Sequence, residues 1–194
     1  MLAVINLNHQ FFKKPLFNNF SLNISAPKVC LTAPNGQGKT TLFSIIAGLI
    51  DINSGEIQFA GKTLKKPNHH VALASDKIVF PEFLTAKQVI ELVCGCWQLP
   101  WPNELIEGFS FIIQLETKVS ALSSGSLKKL QLITALVRDV PLLLLDEPSA
   151  ALDHNSIEFL LSTLADRAQQ IIITCHEPEP FIAQGFQLQA LANV

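Results

Sequence analysis

Residues 33–41 read Ala-Pro-Asn-Gly-Gln-Gly-Lys-Thr-Thr, and this segment constrains the fold more than any other part of the chain. It follows an apolar run and precedes a helix-like stretch, which is typical of a loop that wraps its backbone N–H groups around a polyphosphate. The two glycines permit conformations and a close approach that a Cβ would obstruct. Lys39 is placed to reach the terminal phosphates, and the Thr40 hydroxyl to bind Mg²⁺. The candidate nucleotide-binding residues here are Asn35, Gly36, Gln37, Gly38, Lys39, Thr40 and Thr41.

The loop departs from the usual pattern at one position. Ala33 stands where G-x-x-x-x-G-K-[ST] has its first glycine. The alternative is a glycine-rich turn that happens to precede a helix. Alanine is tolerated here if its φ is negative.

The composition excludes several classes of protein. The 194 residues are enough for one domain with a sizeable core. No apolar run reaches about 18 residues, so we expect no membrane span, and the N-terminus shows no signal-peptide pattern. The net charge is −2 and no basic cluster stands out, so we expect no nucleic-acid partner. The apolar content of 48% fits either a well-filled core or a surface covered by a partner.

The four cysteines are predicted to be reduced, buried thiols: Cys30, Cys94, Cys96 and Cys175. The Cys94-Gly-Cys96 spacing is too tight for an ordinary metal-binding pair, and no second pair completes a site.

The first two parts of the chain differ in periodicity. The first third is predicted to be rich in strands, at residues 2–7, 20–24 and 56–59. A helical part of about residues 85–137 follows, and Thr85 with Gln88 predicts a capping box at its start.

The last third alternates strands and helices. Residues 142–145 and 171–174 are continuous apolar runs, as in buried parallel strands. Asn155 and Glu158 are predicted to cap a helix that runs to about Ala168. We therefore expect one α/β domain over residues 1–194, with a core of about 1–84 and 138–194 around the helical part.

Polar groups follow three of the predicted strands. Thr32 precedes the loop, Asp146 and Glu147 follow the strand at 142–145, and His176 follows the strand at 171–174. Open α/β sheets bind ligands beyond the carboxyl ends of their strands. The phosphate loop, the acidic pair and the histidine should therefore meet at one edge.

These side chains suit phosphoryl chemistry. Asp146 can hold Mg²⁺ in the manner of a Walker-B aspartate, and Glu147 can polarise a water for attack on a γ-phosphate. His176 can orient that phosphate. The alternatives are an ordinary turn at Asp146-Glu147-Pro148 and a half-buried histidine bonded to backbone.

Five motifs in order resemble those of the ATP-binding cassette ATPases over nearly the whole chain. Besides the loop, residues 122–126, Leu-Ser-Ser-Gly-Ser, are similar to the signature L-S-G-G-Q. Residues 142–148 resemble the Walker-B strand, 149–153 the D-loop and 173–176 the switch-histidine segment. Phe11 falls where the family has an aromatic that stacks on adenine. The alternative is that Phe11 or Phe12 packs in the core.

The resemblance implies a P-loop NTPase with a RecA-like core, an antiparallel β part and an inserted helical subdomain. It implies ATP and Mg²⁺ as cofactors, with Lys39, Glu147 and His176 as catalytic residues. It also implies a dimer, a homodimer or a heterodimer, in which the signature of one copy, with Ser123 and Gly125, completes the nucleotide site of the other. Asp153 of the D-loop is a further candidate nucleotide-binding residue. The alternative for residues 123–137 is an ordinary core helix that Ser123 caps and that has no role in binding nucleotide.

Three further departures accompany Ala33. Ser124 and Ser126 replace a glycine and the glutamine of the signature. Ser75-Asp76 stands where the Q-loop glutamine is expected, and Asp76 is a candidate metal ligand in its place.

The leading hypothesis is the ATPase subunit of a membrane transporter, cytoplasmic and held at the membrane only through a transmembrane permease partner. The short chain and the run His176-Glu177-Pro178 resemble the haem-exporter ATPases of cytochrome c maturation. The alternatives are a cassette ATPase of DNA repair or translation, and an unrelated P-loop kinase or GTPase. The last leaves residues 122–126 and His176 without roles.

Overall fold

A computed structural model of the protein describes residues 1–12, 14–167 and 169–191. It has a mixed α/β architecture with an antiparallel and a largely parallel sheet, which confirms the expected fold class. The strands are β1 (Leu2–Phe11), β2 (Lys14–Ile24), β3 (Lys28–Thr32), β4 (Ser54–Phe59), β5 (Lys62–Thr63), β6 (Val71–Ala74), β7 (Leu142–Asp146), β8 (Gln170–Thr174) and β9 (Gln187–Ala190). The helices are α1 (Lys39–Ile46), α2 (Pro67–His70), α3 (Ala86–Trp97), α4 (Asn103–Gly108), α5 (Ser124–Leu136), α6 (His154–Ala165) and α7 (Glu179–Ile182).

The antiparallel sheet has the order β2-β1-β4-β5. Strands β1 and β2 alternate buried and exposed residues over much of their length, because one face of this sheet packs on the core. Side chains from β1 and β2, including Leu7, Phe17 and Phe20, join the same core cluster as those of α1 and β7. A fully buried leucine or phenylalanine contributes about 1.5–3 kcal/mol.

The second sheet has the order β6-β7-β8-β3-β9. Its central strands β7 and β8 are buried at every position, which is typical of central strands in a parallel sheet. Strand β3 pairs in parallel with β8, and β8 pairs in parallel with β7. The carboxyl ends of these three strands therefore lie along one edge.

Two compact units make up the chain. The first contains the described residues of Met1–Leu73, Val140–Asp146 and Ala168–Val194, and thus both sheets apart from the last residue of β6. The second contains Ala74–Asp139 and Glu147–Arg167, with helices α3 to α6. The predicted helical part, about residues 85–137, lies entirely within this second unit.

The predicted start of α3 is confirmed. Thr85 is the N-cap, the Gln88 amide N–H donates to its hydroxyl, and the Gln88 side chain accepts from the Thr85 amide. The helix ends at Trp97, before Pro100 and Pro102. Within the described residues, no helix is both long and apolar enough to cross a bilayer.

Two expectations were wrong, namely the residue that caps α6 and the burial of Cys96. The cap of α6 is Asp153, not Asn155, because the Asp153 carboxylate accepts from the Ser156 amide at 2.9 Å. The helix ends at Ala165, and Ala168 lies outside the described residues. Cys96 is exposed whereas Cys94 is buried, because residues two apart on a helix face different directions.

Candidate nucleotide-binding site

The glycine-rich loop leaves β3 and enters α1 through two left-handed glycines. Gly36 and Gly38 both have a φ of 81°, a conformation that strains residues with a side chain. A Cβ at Gly38 would lie 2.8 Å from Cζ of Phe17, so this glycine also permits close packing against β2. A Cβ at Gly36 would meet nothing within 4 Å. The loop thus has open space on the Gly36 side, as a phosphate cradle requires.

The Lys39 side chain folds back onto its own loop. Its Nζ donates to the carbonyl of Ala33 at 2.6 Å and lies 3.4 Å from that of Pro34. A phosphate that binds in the loop offers this ammonium group stronger, charged acceptors. Ala33 does not have a positive φ, so alanine replaces the usual glycine there without backbone strain.

Asp146 lies at the end of β7, and only β8 separates that strand from β3, the strand that leads into the glycine-rich loop. Thr174 of β8 pairs with Asp146 of β7 on one side and with Leu31 of β3 on the other. The Thr174 hydroxyl donates to Oδ1 of the buried Asp146 at 2.7 Å. The carboxylate is thereby fixed at the edge where β3 opens into the glycine-rich loop.

His176 lies next to the same loop. A cavity of about 410 Å³ is lined by Thr32, Ala33 and Pro34 together with Cys175 and His176. The structure therefore brings the histidine, the loop and Asp146 together within the first unit, although they are far apart in sequence.

The residues present fit Mg²⁺. The Thr40 hydroxyl in the first turn of α1 and the Asp146 carboxylate are hard oxygen donors, which Mg²⁺ prefers. In the part of the chain that the structure describes, no group of three or more His, Cys, Asp or Glu side chains forms a metal site. Mg²⁺ usually binds one or two carboxylates together with the phosphates of a substrate.

Two residues just after β7 have a left-handed backbone. Glu147 has a φ of 48° and Ala151 a φ of 60°, which is unusual for residues that are not glycine. Such strain clusters at functional sites because the surrounding structure must hold it. Glu147 is the predicted catalytic base, and Ala151 belongs to the predicted D-loop.

The signature segment opens α5. Ser123 is the N-cap: its hydroxyl accepts from the Ser126 amide at 3.1 Å and donates to the Ser126 hydroxyl at 2.9 Å. A Cβ at Gly125 would lie 2.6 Å from the Ala151 carbonyl oxygen. The signature glycine is therefore needed for the close approach of the D-loop backbone, and Ser126 uses the position of the family glutamine to extend the cap.

Asp153 has two structural partners that the sequence did not reveal. Besides capping α6, Asp153 forms an ion pair with Lys129, in which Oδ2 of the aspartate lies 2.7 Å from Nζ of the lysine. The hydrogen bond from Lys129 lowers the pKa of Asp153 well below its usual range, and the Ser156 amide and hydroxyl lower it further. Asp153 is thus held as a carboxylate at the end of the D-loop.

Asp76, the candidate metal ligand at the Q-loop position, is bound to Lys128. Its Oδ1 lies 2.7 Å from Nζ of that lysine. The sequence shows no basic cluster that would single out Lys128 or Lys129. The one feature of the sequence that points to these two lysines is their position directly after the signature, in the same helix.

Phe11 is half-exposed, at 48%, and its ring packs edge-on against the buried His9 ring at 4.8 Å. Phe12 is fully exposed. Neither ring packs in the core, so the alternative of core packing is wrong for both. The exposed ring of Phe11 is available to a planar ligand.

This fold and site define a P-loop nucleoside triphosphatase with a signature helix. The sequence model of the family described as ABC transporter matches residues 17–150. The chain therefore belongs to the ABC transporter family, and it is an ATP-binding ATPase of that family, as its motifs predicted.

Two curated relatives align along most of the chain. The zinc transport system ATP-binding protein TroB of Treponema pallidum (strain Nichols) is 28% identical over 209 residues, which cover 100% of this chain and 78% of TroB. The cytochrome c biogenesis ATP-binding export protein CcmA of Wolbachia pipientis wMel is 30% identical over 188 residues, which cover 91% of this chain and 89% of CcmA.

Solved structures share the fold. An ATP-binding subunit of an ABC transporter superposes with a TM-score of 0.83 at 22% identity, covering 98% of this chain and 85% of its own. A dimeric ATP-binding cassette in a post-hydrolysis state, bound to ADP and Pi, gives a TM-score of 0.78 at 19% identity, covering 93% and 90%. At these identities the likeness is one of fold.

Proposed function

We propose that this chain is the nucleotide-binding subunit that energises a membrane ABC transporter. In this proposal ATP closes two cassettes, either identical or related, and hydrolysis reopens them. The subunit works in the cytoplasm and is held at the membrane only by a transmembrane permease, which converts the motion into substrate movement. Residues 1–84 and 138–194 serve as its core, and about residues 85–137 as its helical subdomain.

The glycine-rich loop binds the substrate ATP. The amides of residues 35–41 and the positive end of α1 face the phosphates, and Lys39 exchanges its carbonyl partners for phosphate oxygens. Phe11 offers its exposed ring to the adenine. Mg²⁺, when bound by Thr40 and Asp146, neutralises charge on the β- and γ-phosphates.

Glu147 and His176 serve the hydrolytic step. Glu147 accepts a proton from the attacking water, and His176 donates a hydrogen bond that holds the γ-phosphate in line. Thr174 orients Asp146 from the neighbouring strand.

The dimer supplies the second half of the site. The N-terminus of α5, with Ser123 and Gly125, presents backbone N–H groups to the γ-phosphate held by the other cassette. Asp153 keeps the D-loop beside this helix through Lys129.

The observation that carries the proposal is the joint placement of Lys39, Asp146 and His176 around the end of β3. A transport role is supported by the relatives, since TroB and CcmA carry transport and export in their names and align along most of this chain. A role in repair or translation has no observation of this kind.

The proposal is tested by reconstituting the chain in vesicles with the membrane protein encoded beside it. The expected result is ATPase activity that rises several-fold over that of the chain alone. The matched control is the same preparation carrying Lys39→Met. Activity that ignores the membrane protein and rises instead with nucleic acid or ribosomes would contradict the transport role.

A further inference from the structure

The ion pair between Lys128 and Asp76 joins two segments that are 52 residues apart in sequence. Lys128 is the fifth residue of α5 and lies one turn beyond the signature residue Gly125. Asp76 lies two residues beyond the end of β6, the strand that neighbours β7 in the sheet. The pair therefore ties the signature helix to the connection that follows β6.

The burial of the two partners is unequal. The Lys128 side chain is 5% exposed and the Asp76 side chain 78% exposed. A lysine that has lost most of its water needs a carboxylate to offset its desolvation, whereas an exposed aspartate can readily remain in water. The buried lysine is fixed by the residues packed around it, so its ammonium group positions the exposed carboxylate of Asp76.

Asp76 sits in a short, ordered turn. Ser75 is fully buried, its carbonyl accepts from the Ile78 amide at 2.9 Å, and its hydroxyl lies 3.3 Å from the Lys77 amide. The boundary between the two compact units falls just before this turn, between Leu73 and Ala74. A tether at Asp76 fixes the first residues of the second unit to α5.

The adjacent lysine makes a parallel connection. Lys129 pairs with Asp153 in the segment that follows β7, the neighbouring strand. Two successive residues of the signature helix thus hold the segments that follow two neighbouring strands of the sheet. Any displacement of the turn at Asp76 therefore reaches α5 directly through Lys128.

We propose that Lys128 is a positioning residue for ATP hydrolysis, which holds Asp76 on the signature helix so that the turn after β6 and the start of α5 move as one piece. In this role Asp76 is a tether, and its carboxylate does not have to bind the metal. The inference rests on the proposed function, because it assigns the tether to the hydrolytic cycle of that site.

The experiment is a double-mutant cycle on the full chain. Lys128→Met keeps the length of the side chain but removes its charge, Asp76→Asn removes the partner's charge, and the double variant carries both changes. We expect each single variant to lower kcat about tenfold with KM for ATP changed less than about twofold, since the tether serves the catalysed step and not the loop that binds ATP. The double variant should be no worse than either single one. Lys128→Arg, which keeps the charge, should restore most of the lost rate.

Two matched controls separate positioning from folding. Lys87→Met removes an exposed ion pair with Glu116, at 3.8 Å within the same unit, and should leave kcat unchanged. In hydrogen exchange without nucleotide, Lys128→Met should speed exchange of the amides of residues 76–78, while Lys129→Met should speed exchange at the start of α6 instead.

The outcomes distinguish this inference from the proposed function. A wild-type chain that does not hydrolyse ATP overturns both. A wild type that hydrolyses ATP while Lys128→Met turns over at the same rate overturns the inference alone, as does a double variant whose losses simply add. A fall in kcat without faster exchange at residues 76–78 also overturns it, because the tether would then not be what was lost.

Discussion

The hydroxyl of Thr174 donates a 2.7 Å hydrogen bond to Oδ1 of Asp146, across the ends of the neighbouring parallel strands β7 and β8. Both residues are buried. In the proposed function this carboxylate binds a metal ion held by the phosphates, and a hydrogen bond from a rigid strand keeps it in position for that role.

Thr174→Val should therefore destabilise the protein although it keeps the shape of the side chain. The Asp146 carboxyl loses a hydrogen bond in a buried place, which costs about 1–3 kcal/mol. Urea unfolding of the two proteins measures the difference. Thr174→Ser retains the hydroxyl and should recover most of the lost free energy of unfolding. Equal stability of Thr174→Val and wild type would show that the hydrogen bond is not important.

Lys39→Met should abolish hydrolysis while changing the stability of the nucleotide-free protein little. The lost hydrogen bonds to the Ala33 and Pro34 carbonyls are partly exposed, so the cost is about 0.5–1.5 kcal/mol. The stabilisation by ATP should shrink much more, since Lys39 is placed to contact the phosphates. Thermal unfolding with and without ATP measures both effects. A variant stabilised by ATP as strongly as wild type would remove Lys39 from the binding site.

Gly125→Ala should disturb the contact between the signature and the D-loop. The new Cβ would lie 2.6 Å from the carbonyl oxygen of Ala151, so that one of the two backbones must shift. We expect a loss of about 1–3 kcal/mol in stability together with a clear loss of ATPase activity.

The control for Gly125→Ala is Gly95→Ala in helix α3. A Cβ at Gly95 meets nothing within 4 Å, so alanine should be neutral or should stabilise the helix by up to about 1 kcal/mol. If both variants behaved alike in unfolding and in ATPase assays, the close approach to Ala151 would have no importance.

The lowered pKa of Asp153 predicts that the stability of the protein depends on pH in the acidic range. The hydrogen bond from Lys129, followed by those from Ser156, lowers its pKa in the folded protein below the unfolded value of about 4. The contribution of this group is therefore fully present above about pH 5 and is lost as the pH falls through 4 toward the folded pKa. The free energy of unfolding of wild type minus that of Asp153→Asn should be constant near neutrality and should shrink below about pH 4. A difference that stays constant down to pH 2 would contradict the assignment.

Local chemistry made much of the fold predictable. The capping box of Thr85 and Gln88 is complete within four residues, and the apolar run at 142–145 is long enough to identify a buried strand without its neighbours. The convergence of Asp146 and His176 on the loop followed from the rule for parallel strand ends. The family, fold class and ATPase activity followed from the order of the motifs.

What the sequence did not reveal depends on residues that are far apart in the chain. Nothing in the local pattern shows that Lys128 reaches Asp76, or that Phe17 packs against Gly38. The sequence does not identify the cap of α6, because Asn155 and Asp153 are both good capping residues. In the structure Asp153 is the cap, and it also forms an ion pair with Lys129. Such choices are decided by tertiary contacts.

The mass of Glu147→Gln in solution with ATP and Mg²⁺, measured by size-exclusion chromatography with light scattering, tests whether ATP closes two cassettes and Glu147 drives their hydrolysis of ATP. We expect this variant to bind ATP, to hydrolyse it at least about a hundredfold more slowly than wild type, and to accumulate as a dimer that reverts to monomer once ATP is removed. A variant that remains monomeric with ATP bound, or that hydrolyses ATP at the wild-type rate, would contradict the proposed function.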